Sequence, residues 1–408
     1  MSRRWTPIVA SFFLLLASLA QAENPGPGEE ITVRITDLPL PNATPSIAAP
    51  PRVVKRGEGD GLHVPPGFQA TLFADGLNHA RWLAVAPNGD VFVAESLPGR
   101  ITLLRDSTGK GRADFMSVFA SGFTQPHGMA FHDDHLYVAD VQGLWRLPYT
   151  PGQTRAEGPL ERLTPPGALG EGSGHWTRNI VFNAKGDRIY LTDGSASNIA
   201  ENAQPRATIQ EFAVDGAHQR TFASGLRNPV GIAVRPGTDE VWTVVNERDG
   251  LGDGLVPDYL THVEDGGFYG WPYSYLGNHP QPGFADKRPD LVAKAIVPDL
   301  LFRSHSAPLG LVFYDGQQFP ADYRGDAFVA LHGSWNAARP TGYMVVRVPF
   351  KNGKPVGSYQ SFATGFRLND GAPAVVWGRP VGLAVAKDGS LLVADDVGQT
   401  VWRVSYGR

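Results

Sequence analysis

An all-β fold, a six-bladed β-propeller of four-stranded antiparallel blades, is what this sequence predicts, and three observations predict it. A cadence of Gly-containing turn, β-rich run, tight turn and alternating run recurs six times along the chain. The corresponding turn glycines Gly76 and Gly122 stand 46 residues apart, the length of one four-stranded blade. No segment sustains apolar residues at i, i+3, i+4 and i+7 for three helical turns, whereas 48 glycines and 34 prolines supply turns for many short strands.

The elements follow in order. Ser2-Arg3-Arg4 is a positive start, Ile8 to Leu19 is apolar, and Ala20-Gln21-Ala22 is a small-x-small cleavage signal. Residues 1–22 are therefore expected to be a signal peptide, and the protein periplasmic or secreted. The apolar stretch is too short for a membrane span. Residues 23–60, with Pro39, Pro41, Pro45, Pro50 and Pro51, read as an extended, partly mobile arm lying on the body.

The propeller domain is expected over residues 61–408. Four copies of the repeat are plain: "LFADGLNHARWLAVAPNGDVFVAES" (72–96), "VFASGFTQPHGMAFHDDHLYVADVQ" (118–142), "FASGLRNPVGIAVRPGTDEVWTVVNE" (222–247) and "WGRPVGLAVAKDGSLLVADDVGQTVWRV" (377–404). Two divergent copies, "GHWTRNIVFNAKGDRIYLTDGS" (174–195) and "APLGLVFYDGQQFPADYRGDAFVALHGS" (307–334), complete six. Residues 250–304 exceed one connection and predict an elaborated loop. Stacking blades around an axis buries the two apolar faces of each small sheet, which cannot stand alone.

Composition excludes several functions. The formal net charge is −4 with no basic stripe, which argues against nucleic-acid binding. There is no cysteine, so disulfides, thiolate chemistry and a lipid anchor on cysteine are ruled out.

In a propeller, ligands bind in the funnel formed by loops around the innermost strands. His175 precedes the inner strand of the third unit, Arg227 and Asn228 that of the fourth, and Arg379 that of the sixth. Asn246 to Gly250 point into the same mouth. A histidine and several arginines at repeat-equivalent positions favour a functional site over isolated structural roles. Trp176 and Trp335 are candidates to stack on a planar ligand or sugar, while Trp271 reads as blade core. "GKGR" (109–112) reads as an exposed turn, and Asp193, Asp395 and Asp396 as turn caps.

The order and spacing of "GHWTRNIVF", "GLRNPVGIAV", "NERDGLGD", "GGFYGWPYSY" and "GSWNAARPTGYMVVRVPF" resemble the pyrroloquinoline quinone (PQQ)-dependent soluble aldose and sorbosone dehydrogenases, most closely the sorbosone dehydrogenase-like branch. The resemblance covers about Leu62 to the end and implies PQQ, a calcium ion (Ca2+) and export. It implies that His175 is the general base, and that Arg227 and Asn228 contact the quinone. It further implies that Arg379 pairs with a cofactor carboxylate and that Asp249 and Gly250 hold calcium through backbone oxygens, with Arg248 beside them. Two departures stand out. Where glucose-oxidising members place a lysine, this chain has "LHGSWNAAR", leaving His332, Asn336 or Arg339 as substitutes. Gly174 replaces an acid before the base, which puts glucose as substrate in question.

The chemistry is coherent. A tricarboxylate quinone needs cations at its rim, and calcium prefers oxygen ligands. A neutral histidine would take the sugar hydroxyl proton, and Arg227 would stabilise developing charge. The expected partners are a sugar substrate and an external electron acceptor. Two rivals use the same architecture: a calcium-dependent lactonase, which needs several carboxylates on one metal, and a non-catalytic binding platform.

Overall fold

The computed structural model describes residues 24–170 and 174–407; the expected signal peptide lies outside the described residues. Six four-stranded antiparallel sheets succeed one another along the chain. Their innermost strands are Ala80–Val85, Met129–His132, Ile180–Phe182, Pro229–Val234, Pro308–Phe313 and Pro380–Val385. The sixth blade closes the ring, because Phe68–Ala74 pairs antiparallel with Thr400–Tyr406 and so adds the N-terminal strand to the C-terminal sheet. Closure of this kind protects the sheet edges that an open array would expose.

Second strands such as Val91–Glu95, Val241–Val245, Ala327–Leu331 and Leu391–Asp395 are buried along their whole length. A neighbouring blade covers each face, so these strands read as unbroken apolar runs rather than alternating ones. The outer strand Phe115–Ser121 lacks one of those covers and leaves Phe115, Met116 and Val118 exposed.

A repeated glycine sets how closely blades meet at the axis. A Cβ on Gly310 would lie 2.1 Å from the carbonyl of Val381, and one on Gly382 would lie 2.6 Å from that of Arg81. Gly128 and Gly231 meet backbone of the next blade in the same way. The "PHG", "PVG" and "PLG" triplets of the repeat are thus the marks of blade-to-blade backbone contact.

The elaborated loop falls between the third and fourth strands of blade 4, Pro257–Val263 and Leu300–Ser304, and includes the small hairpin Ser274–Tyr275/His279–Pro280. The arm is pinned to the body at several points. Glu30–Ile31 adds a fifth strand to blade 5 by pairing with Tyr359 and Gln360, and Ile31 is buried. Arg52–Val53 runs parallel to Val375–Val376. Among the described residues, no helix is long and apolar enough to cross a membrane.

Candidate active site

A cavity of about 420 Å³ opens at one end of the axis, and its wall includes His175, Arg227, Asn228, Asp249, His332 and Arg379. Six residues singled out in the sequence, from loops that precede the first strand or follow the second strand of blades 3 to 6, therefore face one space. Arg248 and Gly250 do not line it. The Arg248 side chain turns back, its Nε donating to the carbonyl of Asp249 at 2.8 Å. Gly250 lines a second cavity next door.

The hydrogen bonds of His175 fix its tautomer. Its Nδ1 lies 2.9 Å from the carbonyl of Ser195 and 3.0 Å from the Ser195 hydroxyl. That hydroxyl donates to the carbonyl of Ser197 at 2.6 Å, so Nδ1 is the donor to Ser195 and Nε2 is left as the basic nitrogen. Burial, and then the charge of Arg227, push the ring pKa down to about 4. The imidazole is neutral at physiological pH. Gly194 makes room for this arrangement: a Cβ there would lie 2.4 Å from Asn228 Oδ1 and 2.7 Å from His175 Cβ.

Arg227 is held by the chain around it. Its Nε donates to Asn198 O at 3.0 Å, Nη1 to Glu247 O at 2.7 Å and Asn246 O at 3.2 Å, and Nη2 to Asn198 Oδ1 at 3.0 Å. Much of its donor capacity is spent on the loop that carries Asp249, so it fixes that loop as well as facing the cavity. Asp249 sits 3.8 Å from Nη2 and accepts from Asn336 Nδ2 at 2.6 Å. Burial would raise Asp249, but His305, Arg227 and Asn336 outweigh it and hold the carboxyl below its usual range.

On the opposite wall, Arg379 donates through Nε to the carbonyl of His332 at 2.9 Å, and its Nη2 reaches that of Gly333. His332 Nε2 lies 3.0 Å from Asp396 Oδ1, and Arg81 Nη1 donates to Asp396 Oδ2 at 2.6 Å. Burial, followed by Arg379, lowers His332 to about 4. Asp396, read in the sequence as a turn cap, instead binds this cationic wall. Asp193 likewise departs from that reading, lying 3.2 Å from Arg178 and 3.4 Å from Arg206. Asp395 does cap a turn, accepting from the backbone of Arg379, Val397 and Gly398.

Sequence reasoning missed Arg81, His305, Asp258 and Asp396. Arg81 carried a readable signal, because it stands where three other repeats have Val or Leu. Of the three proposed substitutes for the lysine, His332 and Asn336 reach the cavity. Trp271 is buried, as its core reading requires, and its Nε1 donates to Asn198 O.

The wall suits a polyanionic planar ligand. Arg81, Arg227 and Arg379 line it, Arg81 Nε is buried without a partner, and Arg81 stacks over Trp176 at 5.1 Å. For a hard cation, Glu247 Oε1 and Asn228 Oδ1 are oxygens buried on the wall without a partner, and burial pushes the Glu247 pKa up to about 7. The Asp249 carbonyl, by contrast, already accepts from Asn198 and Arg248. Among the described residues, no three His, Asp or Glu side chains converge as a metal site.

The TrAA12-like family model matches residues 62–256 and 285–406, leaving out the third strand of blade 4, Pro257–Val263, and the first part of the insertion that follows it. An uncharacterized protein of Borreliella burgdorferi is 27% identical over 359 residues, covering 85% of this chain and 91% of its own length. The pyrroloquinoline quinone-dependent pyranose dehydrogenase of Coprinopsis cinerea is 26% identical over 343 residues, 71% of this chain; this chain spans 45% of that enzyme's length. The holo PQQ domain of the Coprinopsis pyranose dehydrogenase superposes with a TM-score of 0.72 at 22% identity, covering 87% of this chain and 100% of the domain. A calcium structure of a Trichoderma reesei carbohydrate-active enzyme of family AA12 gives 0.71 at 18% identity, covering 87% and 98%.

Proposed function

The chain belongs to the TrAA12-like family, and on that premise we propose that it is a PQQ-dependent oxidoreductase acting on an aldose, sorbosone or related sugar. The carrying observation is the neutral His175, its Nε2 freed by the Nδ1 bond to Ser195, in a cavity walled by Arg81, Arg227 and Arg379. The Coprinopsis relative, which is PQQ-dependent and acts on a pyranose, supports this reading, and the calcium structure of the Trichoderma neighbour supports a calcium requirement.

When bound, PQQ supplies the hydride acceptor. Arg81 and Arg379 would hold its carboxylates, with Asn228 and His332 at its edge, and Glu247 would hold calcium. His175 Nε2 takes the hydroxyl proton from the carbon being oxidised. Arg227 braces the 246–249 loop and presents positive charge to the oxygen that becomes anionic. Electrons leave to an external acceptor, and the export signal at residues 1–22 would place the reaction outside the cytoplasm.

Reconstitution tests the reading. PQQ with calcium is expected to raise thermal stability by about 2.7 kcal/mol at 100 times its dissociation constant, chelation to reverse part of that gain, and a sugar panel to bleach the quinone absorbance. An unchanged melting temperature across a PQQ titration overturns it in favour of a binding platform.

A further inference from the structure

A second cavity, of about 230 Å³, adjoins the first, and four residues line both: Asp249, His305, Trp335 and Asn336. Its far wall is the N-terminal arm, through Ser46, Ile47 and Ala48. The arm is not loosely draped there. Asn42 N donates to Leu251 O at 2.7 Å, Gly252 N to Ser46 Oγ at 3.1 Å, Asp253 N to Thr44 Oγ1 at 2.9 Å, and Ala49 N to Trp335 O at 2.7 Å. The last bond ties the arm to the backbone of the tryptophan that divides the two cavities.

We propose that this arm-walled cavity is a second saccharide subsite, so that the preferred substrate is a disaccharide or longer oligosaccharide whose terminal ring enters the inner cavity. The inference rests on the sugar-oxidation reading above. A pyranose ring has an apolar C–H face and a rim of hydroxyls. Trp335, 50% exposed, and Ile47, 39% exposed, offer apolar surface at the cavity, and an indole is the natural partner for that C–H face. The Asp249 carboxylate, 30% exposed and steadied by Asn336, offers acceptors to the rim. His175 lines only the inner cavity, so a ring in the outer one lies away from the base and contributes binding alone. Such remote binding is what lets an enzyme favour a longer substrate.

The test uses the full chain and three probes: glucose, cellobiose and maltose. Calorimetric titration of the cofactor-free protein is expected to show at least one disaccharide binding about tenfold more tightly than glucose. Trp335→Ala and Ile47→Asp, checked for an unchanged fold by circular dichroism, are expected to erase that difference. In protein loaded with PQQ and calcium, both variants should lower the ratio of disaccharide to glucose kcat/KM by a similar factor. Equal affinity for the single ring and both disaccharides, or a preference that survives in both variants, overturns the subsite. Sugar binding without any quinone reduction overturns the oxidation reading and leaves the titration to decide the subsite.

Discussion

The two halves of the axial ring occupy the same place in the repeat and carry opposite chemistry. Aligning the innermost strands puts Arg81, His127 and Arg178 of blades 1 to 3 at the position held by Val230, Leu309 and Val381 in blades 4 to 6. The second trio packs into one small buried cluster. The first is crowded with unanswered polar groups: both His127 ring nitrogens, Arg81 Nε and Arg178 Nε are buried without hydrogen-bond partners. Burial, with help from Arg81, holds His127 well below its usual pKa, so it is neutral. Each such group costs about 1–3 kcal/mol when left unpaired. Strand geometry fixes the slot, and the apolar half answers it cheaply. The polar trio carries that cost and the apolar trio does not, although both reach the cavity, whose wall includes Arg81 as well as Val230 and Leu309.

The largest expected effect lies at the mouth of the polar half. His175→Ala should cut sugar turnover of the PQQ-loaded protein by about 10²–10⁴-fold while PQQ affinity holds. Because the imidazole stays neutral down to about pH 4, the acid limb of kcat/KM in the parent should fall near that value rather than near 6.5. A limb at 6.5, or full turnover in the variant, removes His175 as base. Next comes Arg178→Met, which leaves Asp193 with Arg206 alone and should cost about 3–5 kcal/mol in denaturant unfolding. Burial holds the folded pKa of Asp193 up at about 7. A carboxyl so raised favours folding while protonated, and that advantage is lost as pH rises through the folded pKa. The deficit in Arg178→Met should therefore be smallest at pH 5 and grow toward pH 8.

In the apolar half, Leu309→Ala should cost about 2 kcal/mol with no such pH trend, since only packing is lost. A pH-dependent loss there would erase the distinction between halves. The smallest effect sharpens it most. His127→Leu removes two unpartnered nitrogens and should leave stability unchanged or raise it by about 1 kcal/mol. A loss above about 2 kcal/mol would show that ordered water bonds the ring, and that the polar half is satisfied after all.

The blades were legible in the sequence because their signals are local. A Gly-containing turn, a tight turn and an alternating run specify a hairpin within some 25 residues, and the inner glycine marks where the next blade's backbone must fit. His175, Arg227, Asn228 and Arg379 were legible for the same reason, as each stands beside an inner strand at a repeat-equivalent point. The partners that set their chemistry were not. Asp396 meets Arg81 across 315 positions and Asn336 meets Asp249 across 87, and no local pattern records a contact that only ring closure creates. Asp193 and Asp396 looked like the turn cap Asp395 because all three end similar strands; which carboxyl meets a backbone amide and which meets a guanidinium depends on the blade alongside. The arm shows the limit best. Its prolines announce an extended segment, but that Ser46 to Ala48 should wall a cavity beside Trp335 follows from hydrogen bonds to blades 4 and 5 that exist only once the propeller is closed.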